Sequence, residues 1–418
     1  DLVTMDKRLN GDPKQQDADV KKLYTDNGYL FFNIMPVEKN IDSDSVDVEM
    51  RIYEGKQATF NRIIINGNNI TAEKIARRAL FTKPGYLFSQ SDFERSIREI
   101  ASIGHFNPET AASDKGYSLI PNQNNSTVDI AYNLEEKPNS QLELSGGWGG
   151  NTFVGTLGVS FNNFAIKRRF KKHAWRPVPL GDGQSLSIRF QTSGTYYTAL
   201  SASFVEPWLF GTKPTSLSIS TYFTRQTNSS YYYQNADEYM EVFGASAGLG
   251  TRLSWPDNYF VLYHSLSWQT YKLHNWNYNF LFDTGFSHNF SYTLTLERNS
   301  TDQPIYPRSG SDFAASVQLT PPYSLFRHKS NDEYKKESDQ DRYRWIEYHK
   351  WTFKGDVYLK LIGNLVLRTA ANWGYLGYYK KALYSPFEGF QVGGDGMSGY
   401  NTYGSDIIGL RGYPNYSL

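Results

Sequence analysis

The chain has 418 residues and no cysteine, which excludes disulfide bridges and thiolate metal sites. Its formal net charge is +1, so no overall positive electrostatic field favours nucleic-acid binding. Only 39% of the residues are hydrophobic, yet 16% are aromatic, which suits a surface that meets lipid at two wet interfaces. A large soluble β-sandwich or a carbohydrate-binding protein would have a similar composition. No run approaches the roughly 18 apolar residues of a transmembrane helix, so a closed barrel is the remaining way to span a bilayer.

The first 55 residues predict part of an α+β module. Asp19 to Asn27 has a helical pattern that Gly28 ends, and the alternating run Ser45 to Met50 predicts a strand. A similar strand recurs at Thr127 to Tyr132, so the two segments are copies of one repeat. The first copy lacks an opening strand and helix, and we therefore expect the sequence to begin inside a module.

Residues 56–137 predict a complete copy of the module. Its elements are the strand Phe60–Asn66, a helix Ala72–Leu80 capped by Thr71, a second helix opened by Ser89 or Ser91 and closed by Gly104, and a hairpin with the second strand Thr127–Glu135. The order strand, helix, helix, strand, strand resembles tandem polypeptide-transport-associated (POTRA) domains, with a generic α+β module as the alternative. The resemblance implies that an edge of such a sheet would bind unfolded clients by strand addition. The second hairpin strand is the candidate, although the sequence selects no edge.

From residue 138 to the end, apolar and polar residues alternate with a period of two. These runs predict about eleven strands between Gln141 and the glycine-rich stretch at 393–399. In a soluble sandwich the apolar faces turn inward, whereas in a membrane barrel they turn outward and Ser, Gln, Thr and Arg line the lumen. Bacterial single-chain barrels normally have an even number of strands, so residues 138–418 predict an incomplete antiparallel transmembrane β-barrel, with a whole of roughly 16 strands and truncation at both ends.

The connections between these strands alternate between tight turns and long polar loops, as expected of outer-membrane barrels. The tight ones include Ser193-Gly194-Thr195 and Pro256-Asp257-Asn258, and the long ones include 167–183, 228–237 and 327–344. We therefore expect short turns on one side of the membrane and long loops on the other. This places the basic cluster of Lys167, Arg168 and Arg169 with Lys171 and Lys172 in an extracellular loop, where it is solvated or meets lipopolysaccharide phosphates.

Four short motifs occur in order along the chain. They are Glu206-Pro207-Trp208-Leu209-Phe210-Gly211, Tyr306-Pro307-Arg308-Ser309-Gly310, the segment Pro386 to Gly394 with its paired Gly393 and Gly394, and Leu410-Arg411-Gly412-Tyr413. All four resemble motifs of the outer-membrane insertase superfamily. The first resembles the end of that family's fourth strand, and the second resembles the turn before its ninth strand. The third resembles the lead-in to its sixth extracellular loop, and the fourth resembles the Val-Arg-Gly-Phe/Tyr motif of that loop. That superfamily includes BamA-type assembly factors and two-partner secretion transporters, and the resemblance covers nearly the whole chain.

The resemblance implies roles for two segments. Arg411 would fold back into the lumen and contact acidic residues on later strands, since a guanidinium donates several directed hydrogen bonds; an exposed turn arginine is the alternative. The first strand, Gln141-Leu142-Glu143-Leu144-Ser145-Gly146-Gly147-Trp148, would pair weakly with the last and form a lateral gate where substrate barrels add strands. An ordinary glycine-rich hairpin is the alternative for this segment.

The function implied is that of a central subunit of the outer-membrane protein assembly machinery, which folds and inserts β-barrel proteins without covalent chemistry. The expected partners are unfolded β-barrel clients, accessory lipoproteins or periplasmic subunits, and outer-membrane lipid including lipopolysaccharide, with the POTRA modules in the periplasm of a bacterium. A polypeptide transporter of the same superfamily and a soluble β-rich binding protein are the alternatives.

No enzyme activity, metal site, cofactor or nucleic-acid partner is predicted. Gly394 to Gly399 spells G-x-G-x-x-G, but it follows no buried parallel strand and opens no helix. The seven histidines are scattered without metal-ligand spacing. Glu135 and Glu136 sit at a strand end before a linker, where we expect the two carboxylates to be solvated.

Overall fold

The computed structural model describes residues 9, 20–42, 45–138, 140–149, 152–170, 175, 177–211, 213–228, 236–276, 282–303, 306–385, 387–393, 404–408, 410 and 412–413. The chain divides into two compact units. Unit 1 contains Asp1–Ser140 and Asn162–Gly183, and unit 2 contains Gln141–Phe161 and Gln184–Leu418. Within the described ranges, no helix has the length and apolar character needed to cross a membrane.

Unit 1 holds both predicted α+β segments. Its elements are α1 (Val20–Asp26), β1 (Asn33–Asp42), β2 (Ser45–Tyr53), β3 (Thr59–Asn66), α2 (Glu73–Arg78), α3 (Gln90–Ser102), α4 (Pro108–Ala112), β4 (Tyr117–Asn122) and β5 (Thr127–Asn133). The second segment has the predicted order, with α4 as one additional short helix before the hairpin.

The helix starts follow local side-chain chemistry at α3 but not at α2. Ser89 precedes α3, and its hydroxyl accepts a hydrogen bond from the Asp92 amide at 3.2 Å, as predicted. Ala72 is the cap residue of α2 and has no side-chain bond, so the predicted cap by Thr71 is wrong. The Thr71 hydroxyl instead accepts a hydrogen bond from the Asn163 side-chain amide at 2.8 Å, a partner 92 residues away that local pattern cannot reveal.

The three strands β3, β5 and β4 form a sheet in that order, with β5 parallel to β3 and antiparallel to β4. The second hairpin strand is therefore central and paired on both sides, so the prediction that it offers an edge to clients is wrong. The outer side of β3 is partly covered, because the Phe60 amide donates to Tyr86 O at 2.9 Å and Arg77 donates to Ile63 O at 3.3 Å. Across the described residues, no strand pairs with the outer side of β4.

One core holds the second module together. It is built from the inward faces of β3 and β5 and from the apolar side of α3, where Phe93 and Ile100 are buried. The other fully or nearly fully buried members are Ala58, Phe60, Ile63, Ala76, Leu80, Phe88, Phe106, Ala111, Val128, Ile130, Tyr132 and Leu134.

Unit 2 is dominated by an antiparallel sheet of eleven strands joined in sequence order, with β6 and β16 at its edges. The strands are β6 (Ser140–Gly149), β7 (Thr152–Phe164), β8 (Gln184–Ser193), β9 (Tyr197–Glu206), β10 (Thr215–Thr227), β11 (Tyr239–Arg252), β12 (Phe260–His274), β13 (Gly285–Asn299), β14 (Gly310–Leu319), β15 (His349–Ile362) and β16 (Leu365–Gly377). Short helices α5 (Tyr323–Arg327), α6 (Asn331–Lys336) and α7 (Asp339–Arg342) precede β15, and a parallel pair, β17 (Glu388–Val392) with β18 (Gly404–Ile408), follows β16. The strand number and the antiparallel class agree with the prediction.

The two faces of the eleven-stranded sheet differ in the way that the alternation predicts for a membrane barrel. On one face, apolar side chains such as Ile219 of β10 and Phe353 of β15 are exposed. On the other face, polar side chains pair between strands, as Ser220 does with Ser246 at 2.7 Å. A continuous exposed apolar face is stable against hydrocarbon and unfavourable in water, so the apolar rows face outward as expected.

The strand order fixes the end of the sheet at which each connection lies. We call the end where β6 begins the near end and the end where β6 finishes the far end. The near end carries 165–183, 207–214, 253–259, 300–309 and 363–364, and the far end carries 194–196, 228–238, 275–284 and 320–348. The predicted extracellular position of 167–183 beside the other long loops is therefore wrong, because β7 is the second strand and returns to the near end. Short turns also occur at both ends, so the predicted separation is incomplete.

Close to the far end, the inner face of the sheet is apolar rather than polar. Met240 of β11 and Tyr271 of β12 are buried there, in contact with Ile346 and Tyr348 from the connection 320–348. The expectation of a polar inner face therefore holds only away from this end, because a folded connection covers the strands here and keeps water out.

Candidate functional site

The first barrel strand, Gln141 to Trp148, lies within β6 at one edge of the sheet. All of its side chains are exposed, Leu144 to 76%. Gly146 and Gly147 add no side chain that would pack against a neighbour. Across the described part of the chain, no strand pairs with the outer side of β6, and the same holds for β16 at the other edge of the sheet.

The inner face of this edge is tied to the third strand of the sheet. Glu143 of β6 forms an ion pair with Arg189 of β8 at 3.0 Å. The contact crosses β7 at Gly158, where an added Cβ would lie 3.2 Å from the Glu143 carboxylate. The glycine therefore leaves room for an ion pair that spans two strand intervals.

The Leu-Arg-Gly-Tyr motif forms a turn in its described part. Leu410 and Tyr413 are partly exposed, and the Tyr413 amide donates to Leu410 O at 3.3 Å. Gly412 has a φ of 91°, a conformation that favours glycine. Arg411 lies outside the described residues, so its predicted contacts are not described.

The predicted lead-in to this motif forms β17. It pairs in parallel with β18, and the Gly393 amide extends the pairing by donating to Ile408 O at 3.0 Å. Gly394, the second member of the glycine pair, lies outside the described residues. The lead-in and the segment before the motif are thus brought side by side as one two-stranded element.

This two-stranded element contacts the inner face of the sheet through a lysine. Lys350 of β15 is 5% exposed, and its Nζ lies 3.2 Å from Glu388 Oε2 of β17 and 3.0 Å from Asp406 Oδ2 of β18. Glu388 is 8% exposed, and its other oxygen accepts a hydrogen bond from the Asn289 amide of β13 at 3.4 Å. One buried cation therefore holds both strands of the element.

Aromatic contacts flank the lysine on both sides. The ring of Phe387, directly before β17, stacks on Tyr271 of β12 with a centroid distance of 4.5 Å. The ring of Phe390 lies 5.0 Å from Lys350 Nζ. It also packs against β16 at Gly374, where an added Cβ would lie 2.6 Å from the ring. The element thus crosses the inner face from β12 to β16, and we call Lys350, Glu388 and Asp406 with these contacts the docking cluster.

Burial raises the pKa of the Glu388 carboxyl to about 7, and the Lys350 ammonium opposes this rise. Sequence reasoning missed both residues. The available signal was a lysine between His349 and Trp351, at an inward position of a strand whose outward positions are aromatic. The acidic partners of Arg411 were predicted on later strands, with the cation on the loop. In the contact that the structure describes, the cation Lys350 lies on the sheet and the acids Glu388 and Asp406 lie on the loop.

The two remaining motifs lie where the resemblance placed them. Glu206 ends β9, the fourth strand of the sheet, and its carboxylate accepts hydrogen bonds from Gln184 at 2.6 Å and from the Trp208 amide at 3.1 Å, which closes the turn through Pro207. The segment from Tyr306 through Pro307 leads to Gly310, the first residue of the ninth strand, β14. Both motifs are turns at the near end.

The predicted solvation holds for Glu135, which is exposed, but is wrong for Glu136, which is half-buried. The Glu136 carboxylate accepts hydrogen bonds from the amides of Ile70 at 2.9 Å and Thr71 at 2.5 Å, and Glu135 accepts one from the Thr110 hydroxyl at 2.6 Å. Both carboxylates therefore have structural partners inside unit 1. In the described residues, no group of three His, Cys, Asp or Glu side chains is arranged to hold a metal ion.

Two family models match the chain. Residues 179–411 match the Omp85 superfamily domain, and residues 58–137 match the POTRA model, described as a surface antigen variable number repeat. The second match covers the complete α+β module of unit 1, and the first begins before β8 and ends within the Leu-Arg-Gly-Tyr motif.

Curated relatives and solved structures agree with these models. The outer membrane protein assembly factor BamA of Neisseria meningitidis is 23% identical over 417 residues, covering 93% of this chain and 45% of that protein. A putative outer membrane protein assembly factor of Treponema pallidum is 25% identical over 190 residues, covering 45% of this chain and 21% of that protein. The crystal structure of BamA from Haemophilus ducreyi lacking POTRA domains 1–3 matches the fold with a TM-score of 0.53 and 19% identity, covering all of this chain and 74% of that one.

The chain spans less than half the length of these two curated relatives. Its own exposed apolar sheet face and its POTRA module agree with an outer-membrane protein whose POTRA domain lies in the periplasm. Since the Omp85 model matches more than half of its residues, the chain belongs to the Omp85 superfamily.

Proposed function

We propose that the chain is the central part of an assembly factor that folds β-barrel proteins and inserts them into the outer membrane, with β6 as the template strand of a lateral gate. The observation that carries this proposal is that β6 is the first strand of a sheet whose apolar face is exposed, and that it forms an edge of this sheet within the described residues. An unpaired backbone group in hydrocarbon costs several kcal/mol, so a client strand gains most by pairing before it enters lipid. An edge strand at the membrane offers that pairing.

The composition of β6 favours temporary rather than permanent pairing. Gly146 and Gly147 contribute no cross-strand side-chain contact, which is the main source of strand affinity beyond backbone hydrogen bonds. A client bound at this edge can therefore be released as its own strands close. Lipid-facing Leu142 and Leu144 keep the edge at the depth of the hydrocarbon.

The POTRA module offers a second edge for unfolded clients at β4. This strand has six residues, and Pro121 within it removes one backbone donor, so it binds extended chains weakly. Weak binding suits a site that passes its client on. The accessory lipoproteins or periplasmic subunits of an assembly complex would also bind on the POTRA side, and lipopolysaccharide would meet the far-end loops.

The proposed mechanism also includes docking of the sixth loop on the inner face of the sheet. We assign Arg411 to this loop's attachment by family resemblance, and the docking cluster supports the assignment because it already fixes the segment before the motif to the inner face of the sheet. A docked loop holds β12 to β16 together from the inner face, so we assign the client-accepting edge to β6 rather than to β16, the other edge strand.

Disulfide crosslinking to a client tests the gate. These 418 residues contain no cysteine, so Leu144→Cys in β6 provides the single thiol within them, at an exposed position. We expect it to crosslink to a cysteine in the terminal strand of a client barrel while the full-length protein inserts that client. The matched control is Ile219→Cys, which faces lipid in the same way but lies on β10, a strand paired on both sides.

The pattern of crosslinks separates the two functions of the superfamily. Crosslinks at 144 but not at 219 support strand templating. Equal crosslinking at both positions, or none at 144 during efficient insertion, contradicts it. Crosslinks to Ser220→Cys, on the inner face of β10, would instead favour passage of an unfolded polypeptide through the lumen.

A further inference from the structure

A charged row crosses the outward face of the eleven-stranded sheet close to its far end. Arg225 of β10, Glu241 of β11 and Lys272 of β12 lie opposite one another in the strand register, and Phe286 of β13 continues the row. Arg225 is an even number of residues away from the outward Ile219 on the same strand, so the row belongs to the lipid-facing side. Charged side chains on such a face cost little only near the membrane interfaces, so the row marks the level of the headgroups.

The two cations of the row share one carboxylate. The Glu241 carboxylate lies 3.6 Å from the Arg225 guanidinium and 3.3 Å from Lys272 Nζ. The Tyr239 ring lies 4.5 Å from Arg225 Cζ and 5.4 Å from Lys272 Nζ, so both cations surround one aromatic ring. Arg225 also donates to Ala236 O at 3.5 Å. The side chains of the arginine and the lysine are still 41% and 52% exposed, and the row keeps a surplus of positive charge. We call Arg225, Tyr239, Glu241 and Lys272 the rim site.

Aromatic side chains lie directly below the rim site on the same face. The next outward positions of the three strands are Phe223, Phe243 and Thr270, which are opposite one another and about 7 Å deeper. Both phenylalanines are exposed, and the Phe243 ring makes an edge contact with the Trp268 ring at 5.9 Å. A lipid whose acyl chains lie along these rings would hold its headgroup beside the two cations.

An outward-facing cation at the near end is matched by an acid. Arg298 of β13 pairs with Asp257 at 2.9 Å, and its guanidinium also donates to the hydroxyls of Ser300 at 2.7 Å and Ser311 at 2.6 Å. Here one carboxylate faces one cation, so the contact is balanced within the chain. The rim site differs because its second cation has to share the carboxylate of the first, and an anion from outside the chain would restore the balance.

We propose that the rim site binds a phosphate group of lipopolysaccharide, with Arg225 and Lys272 paired to the phosphate and the acyl chains lying along Phe223 and Phe243. The chain enters β6 at the near end directly after the POTRA module, a periplasmic domain, so the far end belongs to the outer leaflet. A phosphate monoester offers several acceptor oxygens and more than one negative charge, which suits a guanidinium and an ammonium side by side. The inference deepens the proposed function by extending its lipopolysaccharide contact from the loops to a site on the strands.

Native mass spectrometry of the full-length protein in detergent tests the site by counting the lipids that stay bound. The probes are diphosphoryl lipid A, dephosphorylated lipid A and phosphatidylglycerol. The test variant carries Arg225→Gln and Lys272→Gln. The matched control carries Arg368→Gln and Lys354→Gln, which also remove one arginine and one lysine from exposed positions, but on the inner face of β16 and β15. A shift of the band on heating in gel electrophoresis checks that each barrel is folded.

We expect the test variant to bind diphosphoryl lipid A roughly 25-fold more weakly than the unchanged protein, since each cation near an anionic surface contributes roughly fivefold. The inner-face control should bind as the unchanged protein does. Glu241→Gln removes the competing carboxylate and should raise the affinity roughly fivefold. A purely structural row predicts the opposite result, because the cations would lose the group that positions them.

Equal binding of lipid A with and without its phosphates would overturn the phosphate site. An equal loss in the control variant, or weaker binding in Glu241→Gln, would overturn its location at the rim. Phosphatidylglycerol bound as tightly as diphosphoryl lipid A would overturn the choice of lipopolysaccharide. The lipid probes and Glu241→Gln give an answer even where the test variant does not fold. The site does not depend on strand templating, so the crosslinking at position 144 and this measurement can fail independently.

Discussion

Lys350→Met removes the buried cation of the docking cluster while keeping most of the side-chain volume. The contact with Glu388 is buried on both sides, and removing one partner of such a pair costs about 3–5 kcal/mol. The contact with Asp406, whose side chain is nearly half exposed, contributes no more than about 1 kcal/mol. A loss of about 3 kcal/mol lowers the equilibrium constant for loop docking roughly hundredfold.

Burial raises the pKa of Glu388 to about 7, and this gives the loss a pH dependence. The docked carboxyl takes up a proton below about pH 7, whereas the undocked one does so only near its ordinary pKa of 4.5. Docking therefore strengthens as the pH falls through this window. Protonation of Glu388 also removes the charge that Lys350 pairs with, so the defect of Lys350→Met should be largest near pH 8 and smaller near about pH 5.

Electron–electron double resonance measures docking directly. Nitroxides at Leu410→Cys in the loop and Trp373→Cys on the outer face of β16 report the distance between loop and sheet, since the chain has no other cysteine. The control is Lys354→Met, an exposed lysine on the same strand and the same face as Lys350. A distance distribution that stays narrow in Lys350→Met near pH 8, or that broadens equally in both variants, would refute the assigned role of the cluster.

Three further predictions concern unit 1. Burial lowers the pKa of His105 from 6.5 to about 4, so between these pH values the unfolded chain binds a proton that the folded module does not. The free energy of unfolding, measured by urea titration, should therefore fall by about 3 kcal/mol as the pH drops from about 6.5 to 4. His105→Gln should flatten this dependence of stability on pH. Gly67→Ala places a Cβ 1.8 Å from Leu134 O and should prevent stable folding, while Gly85→Ala, with a similar positive φ but open space, should cost only about 1 kcal/mol by thermal melting. Phe88→Ala removes a fully buried ring and should cost about 3–5 kcal/mol, visible as faster hydrogen exchange of the β3 and β5 amides, with no change expected for Tyr86→Ala.

The periodicity of the sequence predicted the strands and the module order because both depend on local alternation. An outward apolar row needs a residue such as Ile219 at every second position, and the α3 stripe needs Phe93 and Ile100 seven residues apart; both patterns are visible without a fold. The Ser89 cap was predictable for the same reason, as its partner Asp92 is three residues away. The turn motifs Glu206–Gly211 and Tyr306–Gly310 were also local.

Contacts between distant residues were not predictable from such patterns. The pairing of Thr71 with Asn163, the two amides held by Glu136, and the central position of β5 in its sheet each join segments dozens of residues apart. Lys350 was overlooked because its acidic partners lie on a loop 38 residues later or more.

Alternation alone thus determined that the C-terminal part forms two-faced strands, and the motifs determined the order in which special turns occur. Only the tertiary structure decided which end of the sheet each connection occupies, and so placed the connection with the basic cluster at the near end, opposite the other long loops. The physical reason is that an antiparallel sheet reverses direction with every strand, so the position of a loop depends on the number of strands before it and not on its own length or charge.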